Sequence, residues 1–397
     1  SLFGYAGKNW GFALSYADNE EIGNNTDTTR SFSPKPGFNL TKSGKHSIQY
    51  DDVQGEIAYS WSTGSVSAGK YYLNWGSGNG GKLILSDKAP SFPLIQFNFS
   101  PVSWLSFTYF HGWLKSNVVD SSSIRTTLVP GRENINEVPK FIAAHMLSVY
   151  PNENISFSIG ESIIYSDRFE PVYLIPVLFF RAVDHYLSSK NTHSSSGNAQ
   201  MFLDASYKNF DLKTKFYGTL FVDELSLESI FKGGNLSAVG FTLGFESVDP
   251  VIKNSSFVLE YTRINPFVYM NSNNAQLYTN NSYQLGHWIG SNGYQIYSSY
   301  KQSLTRGFYF KVSGNYIVKG QKELPVQQYQ TPYPPFLYGP HKGYKDVRLD
   351  VSYEILHKAF LKGYYKYTDI YDDETFRTPD YIKGQKNSFG FAVSYGL

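Results

Sequence analysis

The stretch Phe308-Tyr309-Phe310-Lys311-Val312-Ser313-Gly314-Asn315-Tyr316-Ile317-Val318 sets Phe308, Phe310, Val312, Gly314, Tyr316 and Val318 against Tyr309, Lys311, Ser313 and Asn315. Side chains alternate between the two sides of an extended chain, so this strand has one apolar face and one wet face. Val347, Leu349, Val351, Tyr353 and Ile355 repeat the pattern against Arg348, Asp350, Ser352 and Glu354. Phe389, Phe391, Val393, Tyr395 and Leu397 repeat it again against Ser388, Gly390, Ala392, Ser394 and Gly396. Helical spacing is almost absent.

Collecting such segments predicts 16 strands, at 8–17, 52–62, 65–74, 92–100, 104–115, 138–150, 154–166, 198–209, 210–223, 236–247, 254–265, 291–304, 306–318, 345–355, 358–370 and 386–397. Most match the ~9–11 residues that a tilted strand needs to cross a bilayer and exceed the ~5–6 typical of soluble strands. Short turns, such as Thr63-Gly64, Pro101-Val102-Ser103, Pro151-Asn152-Glu153, Thr305-Arg306 and Leu356-His357, alternate with long polar stretches at 18–51, 75–91, 116–137, 167–197, 266–290, 319–344 and 371–385. Short periplasmic turns and long outer loops are the asymmetry of outer-membrane barrels. With 8–17 running outward, 386–397 runs inward and the strand parity is even. The expectation is an all-β, transmembrane antiparallel β-barrel in the bacterial outer membrane, formed by residues 1–397 as a single domain.

Composition agrees. Of 397 residues, 17% are aromatic and only 17% charged, below the usual quarter. A soluble sandwich also alternates, but here Lys, Asp and Glu stand where its core would be, and a wet lumen accommodates them. Asp204, Lys213, Lys215, Glu260, Arg348, Asp350, Glu354, Lys362 and Lys366 are therefore read as lining of a salt-bridged lumen. The longest mostly apolar run, Val172 to Val183, is interrupted by Pro176 and Arg181 and is too short for a membrane helix. A leader, if one existed, is expected to be already removed, because the first residue is Ser1. The absence of Cys removes disulfides and sulfur metal sites. A net charge of +2 gives no field for nucleic acid.

The most distinctive segment runs Gly69-Lys70-Tyr71-Tyr72-Leu73-Asn74-Trp75-Gly76-Ser77-Gly78-Asn79-Gly80-Gly81-Lys82-Leu83-Ile84-Leu85-Ser86-Asp87-Lys88-Ala89-Pro90. Its Trp-Gly, Leu-Ile-Leu-Ser and Ala-Pro elements resemble the Wzi family of capsule-assembly barrels. So do Pro171 to Pro176 with Phe179-Phe180, Leu220 to Asp223, Tyr278-Thr279-Asn280, Leu285-Gly286-His287 and Ile289-Gly290. The resemblance spans roughly residues 65 to 300. It implies a non-catalytic barrel that holds surface polysaccharide as a lectin. It also implies 18 strands and a periplasmic helical bundle in the full protein, whereas 16 strands and no helical period are visible here.

For site residues, an aromatic plane beside hydrogen-bonding groups suits a pyranose ring. Trp75 with Asn79 and Asp87, and Trp288 with Asn280 and His287, are the candidates, expected at one extracellular mouth. The structural alternative makes the glycines a tight loop and the tryptophans girdle or packing residues. Apolar pieces in the long loops, Leu83-Ile84-Leu85 and Val177-Leu178-Phe179-Phe180, are expected to fold into the lumen as a plug, with Tyr173 packing inward beside them. No hydrolase, zinc, calcium or phosphate-loop motif is present. His111, His145 and His287 remain as isolated histidines, and the adjacent pairs Asp51-Asp52 and Asp372-Asp373 read as solvated charge. No enzyme activity, metal or cofactor is expected. Expected partners are surface polysaccharide, outer-membrane lipid and lipopolysaccharide, and other outer-membrane proteins. The competing functions are an accessory structural subunit of a larger outer-membrane complex and a diffusion porin.

Overall fold

The computed structural model describes residues 1–23, 26–28, 30–44, 46–126, 128, 133–190, 197–223, 238–324, 327, 333–373 and 378–396. Residues 236, 237 and 397 of the expected strands lie outside the described residues. The first strands are β1 (Leu2–Ala6), β2 (Trp10–Ile22), β3 (Asn39–Ser43), β4 (Ser47–Trp61), β5 (Gly64–Tyr71), β6 (Phe92–Val102) and β7 (Leu105–Leu114). The middle of the chain adds β8 (Arg125–Thr126), β9 (Glu133–Asn134), β10 (Lys140–Asn152), β11 (Ile155–Ser166), β12 (Asn198–Asn209), β13 (Thr214–Val222), β14 (Val239–Val248) and β15 (Ser255–Ile264). The last are β16 (Thr279–Asn280), β17 (Tyr283–Gln284), β18 (Gly293–Thr305), β19 (Phe308–Lys319), β20 (Lys342–Leu356), β21 (Ala359–Asp372) and β22 (Gly384–Tyr395). One α-helix, α1 (Phe180–Lys190), interrupts them.

Eighteen strands form one sheet, in which every recorded pairing is antiparallel. β3 borders β4 alone, and the others follow one another as an up-and-down meander from β1 to β22, with β8–β9 and β16–β17 as small hairpins inside loops. All 16 expected strands are present. The structure adds two strands, β3 within the 18–51 loop and β1, which pairs with β2 across the short turn at 7–9, with Leu2 opposite Leu14. β1 alters the parity of the meander. β1 and β22 both run toward the short-turn side, and no pairing joins them among the described residues. Antiparallel closure takes one further strand between these two edges.

The alternation read from the sequence sorts the two faces. Phe12, Leu14, Phe157, Ile159, Leu243, Leu259, Val347, Phe389 and Phe391 are exposed on the outer face, as lipid contact requires. The inner face supplies Leu94, Phe110, Ile142, Ala144, Ile164, Phe202 and Phe221 to a core shared with Leu73, Trp75, Leu83, Ile84, Leu85, Tyr269, Tyr278 and Trp288 from two loops. The loops 72–91 and 265–292 therefore pack into the lumen against β6–β20. The expected interior ion pairs are partly present, as Arg348–Asp350 at 2.7 Å and Lys366–Asp346 at 3.1 Å. Lys213 is a correction, because it sits in the 210–213 turn and pairs with Asp249 at 2.7 Å.

A second correction concerns the loop 167–190. Tyr173 and Phe180 do not enter the lumen. They pack with Tyr109, Phe141, Ala143, Ile163 and Tyr165, positions that share the outward face of β7, β10 and β11 with exposed Leu147, Phe157 and Ile159. The buried Glu161 carboxylate accepts the Phe180 N–H at 2.6 Å and so caps the start of α1. The apolar run prefers burial, but the outer wall supplies it.

Candidate functional site

The plug begins at Trp75, whose backbone pairs with Leu85 in both directions, N to O at 3.0 and 3.3 Å. This bridge closes a hairpin whose tip, 76–84, enters the lumen. Backbone N–H groups in a lumen need acceptors, and the inward carboxylates provide them. Asp204 accepts from Ser77 N at 2.7 Å and Ser77 Oγ at 3.1 Å. Glu260 accepts from Asn79 N at 2.8 Å and Gly80 N at 3.0 Å. Two glycines make this approach sterically feasible. Gly78 has φ +144°, and a Cβ there would lie 2.0 Å from Gly81 O, while a Cβ at Gly81 would lie 2.4 Å from His287 Nε2.

The second loop locks onto the first. Tyr269 Oη donates to Leu83 O at 2.7 Å, Tyr278 Oη to Ile84 O at 2.9 Å, and Trp288 Nε1 to Gly80 O at 2.7 Å. Ser86 N donates to Leu285 O at 2.8 Å. The two loops, some 200 residues apart in sequence, thus meet as expected, as a plug rather than as an open pair of aromatic planes.

The six sequence-predicted residues divide accordingly. Trp75 is 6% exposed, edge-on to Phe110 with centroids 5.1 Å apart, and Trp288 is 5% exposed between Phe32 and Tyr344. His287 is fully buried, and burial holds its imidazole neutral, with the pKa pushed down to about 3. Buried Asn280 donates to Pro90 O and accepts from Lys115 N, both at 2.9 Å. Asn79 is exposed at the deep tip, bound to Tyr217 Oη at 3.0 Å and Glu246 Oε1 at 2.7 Å, on the side away from the loops' mouth. Asp87 is exposed at the mouth.

At that mouth lies a cleft of about 490 Å³, lined by Asn19, Arg30, Tyr50, Asp52, Tyr72 and Asp87 among others. Burial and the nearby carboxylates Asp52 and Asp87 push the Tyr72 phenol up to about 12, so it remains a donor at neutral pH. Arg30 lies over the Phe38 and Tyr50 rings at 4.7 and 4.9 Å and pairs with Glu21. A second cleft of about 490 Å³ shares Phe38 and Asn39 with the first and adds Ser31, Lys115, Asn281 and Tyr283. Beneath them, buried Lys88 donates from Nζ to Arg30 O and Lys35 O, both at 2.6 Å, which clamps the 30–38 segment to the plug. Burial first, then the nearby Arg30 charge, lower the Lys88 pKa to about 8.

Sequence reading missed Arg30 and Tyr50, which are dispersed and form no local motif, and passed over Tyr72 although it lies inside the distinctive 69–90 segment. For Arg30 and Tyr50 the available signal is the 18–51 stretch, a long loop without an apolar triplet and hence unsuited to plugging. The histidines are accounted for by packing. His111 Nε2 lies 2.8 Å from Tyr165 Oη, and His145 Nε2 lies 3.4 Å from Glu161, both under the 167–190 segment. Among the described residues no group of three His, Asp or Glu is placed to hold a metal ion.

The sequence family described as capsule assembly protein Wzi matches residues 36–380. The chain belongs to the Wzi capsule assembly family. Among solved structures it is similar to Wzi of Escherichia coli, described as an outer-membrane carbohydrate binding beta-barrel involved in group 1 capsule assembly. That similarity has TM-score 0.58 and 14% identity, covering 98% of this chain and 85% of that one. It is also similar to OccAB2 of Acinetobacter baumannii, with TM-score 0.51 and 12% identity over 99% of this chain and 88% of that one. OpdK of Pseudomonas aeruginosa, solved with vanillate, gives TM-score 0.52 and 11% identity over 99% and 89%. No curated protein matches the sequence. At these identities the structural likeness carries the fold, an outer-membrane β-barrel, and the family match carries the role in capsule assembly.

Proposed function

We propose that the chain, as one barrel domain, holds surface polysaccharide at its extracellular mouth without catalysis. The observation that carries this is the pair of adjoining clefts sharing Phe38 and Asn39 above the plug. Each combines aromatic surface with a few convergent polar groups, the usual make-up of a ligand site. The E. coli relative's description as carbohydrate binding supports the same reading. Of the six residues picked from sequence, Asp87 contacts glycan directly, while Trp75, Asn280, His287 and Trp288 act by holding the loops. Asn79 sets the plug tip. Because a polysaccharide repeats, several weak contacts add through multivalency.

The test is titration of purified barrel in detergent with the organism's own capsular polysaccharide. Tyr72→Ala combined with Asp87→Ala is expected to weaken binding at least tenfold, with the heat-resistant barrel band on a gel unchanged. Unchanged binding would show that glycan is held elsewhere.

A further inference from the structure

The lipid-facing wall carries a band of charged and aromatic side chains near its long-loop ends. Along the outward positions of β14, β15 and β18–β22 the charged side chains are Arg263, Lys345 and Asp369, and all three lie toward the long-loop ends. Below them those faces are apolar or uncharged, as a bilayer interior demands. The charges therefore sit at the headgroup level of the outer leaflet.

An aromatic row starts beside Arg263 on β15 and runs across β18 and β19 to Lys345. Tyr261 and Tyr294 have centroids 6.2 Å apart, and Tyr294 and Tyr316 6.1 Å. The Arg263 guanidinium lies 3.8 Å over Phe336, and its Nε donates to Asn265 Oδ1 at 3.0 Å. Lys345 Nζ lies 5.5 Å over Tyr316. Among the described residues neither cation forms an ion pair, although Asp369 faces Lys345 in register. Arg263 and Lys345 are three strand intervals apart, roughly 14 Å at ~4.8 Å per interval. Arg recognises phosphate through paired N–H groups, and Lys does so as a point charge.

We propose that this face binds the phosphorylated glucosamine headgroup of an outer-leaflet lipopolysaccharide. Arg263 and Lys345 each hold a phosphate, and the tyrosine row carries the sugar plane between them. The occupant follows from charge complementarity and from the level of the site in the membrane, and it does not depend on the mouth clefts.

The test is native mass measurement of the purified barrel with three probes: bisphosphorylated lipid A, fully dephosphorylated lipid A, and phosphatidylglycerol. Bisphosphorylated lipid A is expected to bind at least tenfold more tightly than either of the others, and the Arg263→Gln/Lys345→Gln variant is expected to lose that preference. Equal binding of the dephosphorylated form, equal binding of phosphatidylglycerol, or retention of the preference in the variant would each overturn the proposal. The probe comparison on the parent protein stands even if the double variant does not fold.

Discussion

His287 shows how tightly single residues set the plug. Its ring packs against Gly81 with no room for a Cβ, and desolvation keeps it neutral, with a pKa near 3 against an ordinary 6.5. The sign follows from linkage. Between pH 6.5 and 3 the undocked loop binds a proton that the docked loop does not, so docking is strongest above pH 6.5 and weakens as pH falls. At pH 5 the loss is about 2 kcal/mol, at ~1.4 kcal/mol per unit. Hydrogen exchange in 278–290, corrected for intrinsic rates, is therefore expected to be faster at pH 5 than at pH 7, and His287→Gln is expected to remove that difference. Equal protection at both pH values would show that the imidazole does not limit docking. Sequence reading selected His287, Trp75 and Trp288 because ring chemistry is visible in a motif. Burial at 0–6% is not visible there, since it depends on Glu260 and Asp204 reaching in from distant strands and on the Gly81 loop meeting the His287 loop.

At the level of elements, period and turn length revealed nearly everything that runs through the bilayer. β1 escaped because it is five residues long and has a glycine at its centre. The placement of long loops was less legible, because an apolar run shows that a segment must be buried without showing which side buries it. The 167–190 segment and Leu83–Leu85 read alike, yet one lies outside the wall and the other inside. Phe180 is fully buried against His145 and Tyr173, at 4.8 and 5.8 Å. Phe180→Ala should lose about 3–5 kcal/mol of docking. Limited proteolysis is then expected to nick 167–190 while the heat-resistant barrel band persists. Loss of the band itself would show that this segment is part of the barrel's own stability, and resistance to protease would show that Phe180 does not hold it.

For the whole molecule, two loops pack into the lumen and the mouth above them keeps polar clefts. Planar-bilayer recordings should accordingly show conductance far below that of an open porin, and porin-like steps would mean that the plug does not seal. If the chain instead serves as a structural subunit of a larger complex, gentle extraction will bring down stoichiometric partners. The most direct measurement is a hydrogen-exchange footprint of the purified barrel with and without capsular polysaccharide. Protection is expected in 30–39, 50–52, 72–74 and 281–283, with little change at the plug tip near Asn79. Protection confined to the periplasmic side, or none at saturating polysaccharide, would contradict the assignment of the mouth clefts as the glycan site.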